Sequence, residues 1–166
     1  MSRRRRPVAV RFEEKVDRSG DCHLWTGAKR VQRDGLPYGH LKGEDNRMVL
    51  AHRLAWEFAF GPIPDRLQVD HVCRVRLCVN PAHLRLTTQK QNMENLGVAR
   101  NSPTGYRGVR VTRYGRYQAT VGHNRRTYCG GTYDTPEEAA KASAAMRAEL
   151  FTHSPESDGR VQIDHG

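Results

Sequence analysis

No run of apolar residues in this sequence approaches the roughly 20 that a membrane-spanning helix needs. The basic stretch Met1–Arg6 is not followed by the apolar core of a secretion signal. These two absences point to the cytoplasm and away from membranes. Acidic residues are in short supply: 18 Asp and Glu stand against 28 Lys and Arg, a net charge of +10. The shortage is sharpest between residues 95 and 133, which hold seven arginines and no acid. Such an imbalance argues against an acid-seeking surface and for a polyanionic partner, with nucleic acid first because guanidinium forks match phosphates and guanine edges. The bland alternative is a soluble protein that is merely basic. Cysteines number only four; in a reducing compartment they favour metal binding over disulfides, a preference that secretion would reverse. A chain of 166 residues suits one ordinary domain or two small ones.

Along the chain, residues 1–18 read as a basic arm in which Arg3 to Arg6 either contact phosphate or form a flexible tail. Cys22 to Gly27 reads as a short strand ending at a turn. Tyr38–Lys42 and Arg47–Leu50, separated by Gly43 to Asn46, predict a hairpin. Ala51–Phe60 predicts a helix burying Leu54, Ala55, Trp56 and Phe58, stopped by Gly61-Pro62. Strands are expected at Leu67–His71 and Leu84–Thr87, then a helix from an N-cap at Thr88 to about Leu96. The break at Gly97 to Thr104 is the expected linker (98–104) between domains at 19–97 and 105–152. Beyond it, strands are expected at Tyr106–Thr112, Arg116–Val121 and Arg126–Tyr133, with turns at Tyr114-Gly115 and Gly122 to Asn124. A helix follows, with Thr135 as N-cap, Pro136 at its first position and Glu138 completing a capping box. Residues 153–166 read as a flexible tail.

The stretch Val69 to Asn92 holds groups that bind metal or move protons. Asp70 and His71 are adjacent in a strand, so their side chains point to opposite faces unless the strand ends there. At a strand end, a carboxylate can hold a hard cation while an imidazole reaches a water, the two needs of phosphodiester hydrolysis. Asp70-His71, Asn80-Pro81-Ala82-His83-Leu84 and Asn92, with Ala51-His52-Arg53 and Cys22-x-x-Trp25-x-Gly27 upstream, resemble the HNH, or His-metal finger, nucleases. The spacing is similar to their His-Cys box homing endonuclease branch. The resemblance covers most of residues 20 to 98. It implies that His71 is the general base, and that Asp70 and Asn92 bind a catalytic Mg²⁺ or Mn²⁺.

Cys73-x4-Cys78-x4-His83 places three soft or borderline ligands in one loop, and Cys22 could supply the fourth of a tetrahedral structural zinc. The alternative is free, buried cysteines. His83 stands where many HNH proteins have asparagine and is either a zinc ligand or a loop brace; zinc is the favoured reading. Asn80, before Pro81, reads as a turn residue. His52 reads as structural and Arg53 as a phosphate contact.

In the arginine-rich segment, Arg107, Arg110, Arg113, Tyr114, Arg116, Arg125, Arg126 and Tyr128 interleave cations with aromatics on a narrow sheet, a pattern suited to the major groove. The alternative is a solvated sheet face. Tyr106-Arg-Gly-Val-Arg110, Tyr114-Gly-Arg-Tyr117 and Gly131-Thr-Tyr-Asp-Thr135 followed by Glu137-Glu-Ala-Ala140 resemble the plant ethylene-response-factor (Apetala-type) DNA-binding domain over about residues 103 to 151. Tyrosine replaces that family's tryptophans at 114 and 117, and Thr120 replaces a glutamate. The third strand aligns in two ways one residue apart, which changes the face that Arg126 and Tyr128 occupy.

The expected fold is therefore α+β: an N-terminal ββα-metal HNH nuclease domain with a zinc-stapled loop, then a small three-stranded antiparallel sheet packed on one helix. The expected function is a metal-dependent DNA endonuclease of the homing type, from a phage or mobile element, acting on double-stranded DNA. The alternatives are a non-catalytic DNA-binding regulator on a zinc-stabilised scaffold and an RNA-directed nuclease. Double-strand cutting from one active site calls for a homodimer or two successive nicks.

Overall fold

The structure, a computed structural model, describes residues 6–32, 35–99 and 101–154. The chain divides into two compact units, Met1–Gln89 and Lys90–Gly166. Among the described residues, no helix is long and apolar enough to cross a membrane.

The first unit opens with helix α1 (Val8–Glu13), then strands β1 (Val16–Asp17) and β2 (Leu24–Trp25), which pair antiparallel. Strands β3 (Lys29–Val31), β4 (Pro37–Lys42) and β5 (Met48–Leu50) form an antiparallel sheet in sequential order. Helix α2 (Ala51–Phe60) leads directly from β5 and ends at Gly61, whose φ of 90° is a conformation glycine adopts without a Cβ penalty. Strands β6 (Gln68–His71) and β7 (Leu84–Thr87) pair antiparallel, and a 3₁₀ turn at Pro81–His83 sits at the end of the loop between them. Trp25, only 1% exposed, lies at the centre of the core with Phe12, Leu41, Leu54, Ala55, Val69, Val79 and Leu84. A Cβ on Gly39 would meet the Trp25 ring at 2.4 Å, so glycine is what lets β4 pass across the indole.

The expected arm at 1–18 is corrected from Val8 onward. Val8 and Phe12 stand one helical turn apart, and Phe12 is buried against Trp25 and Phe58 with ring centroids 5.3 Å away in both cases. Arg11 donates to the carbonyl of Lys42 at 2.8 Å, and Arg6 pairs with Glu14. Arg3 to Arg5 lie outside the described residues. On α2 the core side is Ala51, His52, Leu54 and Ala55; Phe58, expected inside, is exposed apart from its edge contact with Phe12.

The second unit begins before the expected linker, because Glu94 and Asn95, near the end of helix α3 (Gln89–Glu94), are buried within it. Strands β8 (Val109–Val111), β9 (Tyr117–His123) and β10 (Arg126–Tyr133) form an antiparallel sheet with β9 central, and helix α4 (Pro136–Leu150) packs on one face. Thr135 caps α4 by accepting from the Glu138 amide at 3.3 Å. Ala119 and Ala139 are fully buried, so helix and sheet approach closely. β8 is shorter than expected because Gly105 and Gly108 take positive φ and bend the chain ahead of it. The β9–β10 turn falls at Asn124-Arg125, both at positive φ as in a tight primed hairpin, and β9 therefore runs two residues past Val121. A register shift at Gly130-Gly131 interrupts β10. His153 and Ser154, expected in a flexible tail, are described, and Ser154 is fully buried; residues 155–166 lie outside the described residues.

Phe12→Ala is expected to destabilise the first unit by about 3–5 kcal/mol, as for other buried aromatics, where a flexible arm would give no change. Urea unfolding followed by tryptophan fluorescence measures it.

Candidate active site and metal cluster

Strand β6 lays Val69 into the core and ends at His71, so Asp70 and His71 leave the strand at its last two positions, both 6% exposed. Asp70 lies opposite Arg85 across the β6–β7 ladder, and Arg85 Nε donates to Asp70 Oδ2 at 3.1 Å. A carboxylate offers about four lone-pair positions, so this pairing does not exhaust Asp70 as a hard-cation ligand. His71 Nε2 lies 3.0 Å from the carbonyl oxygen of Cys78. A carbonyl only accepts, so Nε2 carries the proton and Nδ1 is the basic nitrogen.

The His71 ring packs beside His52 at 4.7 Å between centroids and Tyr38 at 6.3 Å, and the guanidinium of Arg76 lies 5.0 Å over the Tyr38 ring. Burial lowers the pKa of His71 from its ordinary value and takes that of His52 down to about 3, so His52 is neutral at neutral pH. His40 is also lowered by burial. Among the described residues, His52 Nδ1 and His40 Nε2 are buried without a hydrogen-bond partner.

The loop between β6 and β7 is tied to β2 by backbone bonds from Trp25 N to Leu77 O at 2.8 Å and from Val79 N to His23 O at 2.7 Å, with a bridge between Leu24 and Cys78. This pairing carries Cys22 to the loop. The sulfurs of Cys22, Cys73 and Cys78 and a ring nitrogen of His83 all lie within 4.8 Å of one another. His83 Nδ1 is 3.5 Å from Cys22 Sγ and 3.6 Å from Cys78 Sγ. Two ligands of a tetrahedral zinc with ordinary Zn–S and Zn–N bonds stand about 3.6 Å apart, so the donor set fits the ion in kind, number and spacing. On its other side, His83 Nε2 is 3.3 Å from an Asp21 carboxylate oxygen, the outer partner that commonly orients a ligating imidazole. The Cys73 thiol is held down to about 5 chiefly by a hydrogen bond from Cys78, while Cys78 is pushed up by giving that bond and Cys22 is pushed up by burial. The cluster thus already favours a thiolate, the form that binds metal. Asn80 fills its expected turn role: its side chain accepts from Ala82 N at 3.1 Å and donates to Asp21 O at 2.8 Å.

Arg53 is half-buried in the first turn of α2. Asn92 is half-buried on α3, in the second unit. On the C-terminal sheet, Arg110 faces Gln118, which faces Thr132, and alternation puts these three opposite the α4-covered face of Val109 and Ala119. Arg126 and Tyr128 pair with His123 and Val121 and therefore share the face that α4 covers, although both remain exposed. This register fixes the face on which Arg126 and Tyr128 lie. Arg113 stacks on Tyr114 at 4.7 Å and both are exposed; Arg116 is paired with Asp134 at 2.8 Å, and Arg125 sits in the exposed hairpin turn. Arg107 turns inward: its guanidinium donates to the carbonyls of Glu94 and Met93 at 3.0 and 3.5 Å. Sequence reasoning gave His52 only a structural role and missed Arg85, which cross-strand pairing sets opposite Asp70, and Tyr38 and Asp21, which tertiary contacts bring in; Asp21 carried a signal in being next to Cys22.

The sequence profile of the HNH endonuclease family matches residues 49–94. Protein 7.7 of Escherichia phage T7 is 38% identical over 76 residues, covering 46% of this chain and 55% of that protein. The uncharacterized gene 5.3 protein of Enterobacteria phage T3 is 38% identical over 74 residues, covering 43% of this chain and 73% of that protein. The uncharacterized HNH endonuclease L560 of Acanthamoeba polyphaga mimivirus is 34% identical over 120 residues, covering 72% of this chain and 60% of that protein. Residues 49–94 of this chain are thus similar to the HNH endonuclease family, and a longer stretch is similar to a viral protein of that description. No solved structure gives a significant match.

Because His52 stays unprotonated in the folded chain until about pH 3 whereas an unfolded histidine titrates near 6.5, the unfolded state holds the extra proton throughout that window. Stability therefore falls as pH drops from 6.5 towards 3, by up to about 1.4 kcal/mol per pH unit from this group. Urea unfolding across that range should show the slope, and His52→Phe should make it shallower, leaving the part due to His71 and His40.

Proposed function

We propose that this protein is a metal-dependent DNA endonuclease of the homing type, encoded by a phage or mobile element and acting in the host cytoplasm. In this reading the HNH-like segment supplies the hydrolytic chemistry, and the C-terminal sheet, resembling an ethylene-response-factor domain, locates the site on double-stranded DNA. The observation that carries it is His71: a buried, neutral imidazole at a strand end whose Nε2 proton is committed to the Cys78 carbonyl. In that tautomer Nδ1 is the basic nitrogen, and it takes a proton from water as the water oxygen attacks phosphorus and the 3′ oxygen departs. Asp70 and Asn92 would hold a hard divalent cation, Mg²⁺ or Mn²⁺, which when bound neutralises charge on the phosphate and the leaving oxygen. Arg53 contacts the phosphate backbone.

Cys22, Cys73, Cys78 and His83 would hold a structural zinc that staples the loop carrying the Cys78 carbonyl. Arg110, on the open sheet face, and Arg113, Tyr114, Arg116 and Arg125, in the turns and at their edges, are the DNA contacts this reading favours. Arg107, Arg126 and Tyr128 contribute less, the first because its guanidinium is held within its own unit and the others because of the face they occupy.

Supercoiled plasmid with Mg²⁺ should be cut by the wild-type chain and at least about a hundredfold more slowly by His71→Ala, with DNA binding retained. If both are equally inactive while still binding DNA, the protein is a regulator on a nuclease scaffold. Elemental analysis of purified protein should find about one zinc per chain, lost with the fold in Cys78→Ser; a zinc-free preparation that stays folded removes the structural-metal claim.

A further inference from the structure

Glu94 is an unusual residue to bury: its side chain is 6% exposed, yet it carries a carboxylate and follows Asn92 by only two positions. Its Oε2 accepts from the Thr152 amide at 2.9 Å and from the Thr152 hydroxyl at 3.2 Å. Its Oε1 lies 3.8 Å from His123 Nδ1 and 3.9 Å from Lys90 Nζ. At the same end of α3, the carbonyls of Glu94 and Met93 accept from Arg107, whose guanidinium lies 5.5 Å from the Phe151 ring. Phe151 is itself buried, with its ring 5.7 Å from that of His123. The end of α3 is thus fixed to the residues that follow α4, to the end of β9 and to the segment preceding β8.

We propose that Glu94 is a positioning residue for Asn92, an inference that rests on reading Asn92 as a cation ligand. Residues two apart on a helix lie about 200° apart around its axis. Burying Glu94 therefore sets the roll of α3 and turns Asn92 to the opposite side. A six-residue helix has too few internal bonds to hold its own orientation, so an external anchor decides it. The anchor is the second unit itself, through Thr152, His123 and Arg107.

The test uses the full chain in the His71→Ala background, bound to duplex DNA, with Mn²⁺ affinity read from the electron paramagnetic resonance of free Mn²⁺. Glu94→Ala is expected to weaken Mn²⁺ binding about tenfold at unchanged DNA affinity, the usual size of an effect transmitted through a supporting residue. Glu94→Gln, which keeps an acceptor for Thr152, is expected to restore it. Thr152→Val, a milder change, is expected to weaken Mn²⁺ in the same direction and replaces Glu94→Ala if that variant does not fold. Equal Mn²⁺ affinity in parent and variant, or matched losses of Mn²⁺ and DNA affinity, overturns the inference and leaves the nuclease reading standing. An absence of Mn²⁺ binding in the parent, or no loss in Asn92→Ala, overturns the cation-ligand reading and the inference with it.

Discussion

The peptide that carries Cys78 faces two ways. Its sulfur joins Cys22, Cys73 and His83, while its carbonyl accepts the Nε2 proton of His71. The same residue is bridged to Leu24, which is how Cys22 arrives from far upstream in the sequence. Loop conformation, donor cluster and the tautomer of the buried histidine are consequently one problem with one solution. A loop of this irregular kind has little apolar surface to hold it, and the structure compensates with backbone pairing to β2 and with Asn80 closing the 3₁₀ turn.

Around His71 the protein has accepted a cost. Burying imidazoles removes the water that would solvate their charged forms, and His52 keeps a nitrogen without a partner to stand beside His71. What the burial provides is a neutral, sterically fixed imidazole. Desolvation also strengthens the electrostatic influence of Arg76, stacked on Tyr38, on whatever enters the site.

Much of this was legible in the sequence where local rules dominate. Ala51–Phe60 is a helix to the residue because Gly61-Pro62 stops it, and Leu84–Thr87 and Arg126–Tyr133 are strands to the residue. Cys73, Cys78 and His83 could be named because their chemistry is rare and their spacing short, and Cys22 because few cysteines were left to complete the set. Long-range pairing hid the rest. Helix α1 has only Val8 and Phe12 to betray it, and nothing local says that Trp25 waits for Phe12. The face of Arg126 and Tyr128 depends on pairing with β9, which composition does not record. Glu94 looks like any solvated helix acid until Thr152, 58 residues later, returns to meet it.

That last contact changes where the protein can be cut and rejoined. A linker at 98–104 would invite exchange of C-terminal modules at that point, yet a junction there would separate Glu94 from Thr152, His123 and Arg107 and leave the end of α3 without its supports. A recombination event that preserves them must cross the chain before Lys90. The helix bearing Asn92 is then inherited together with the sheet and not with the strands that carry Asp70 and His71.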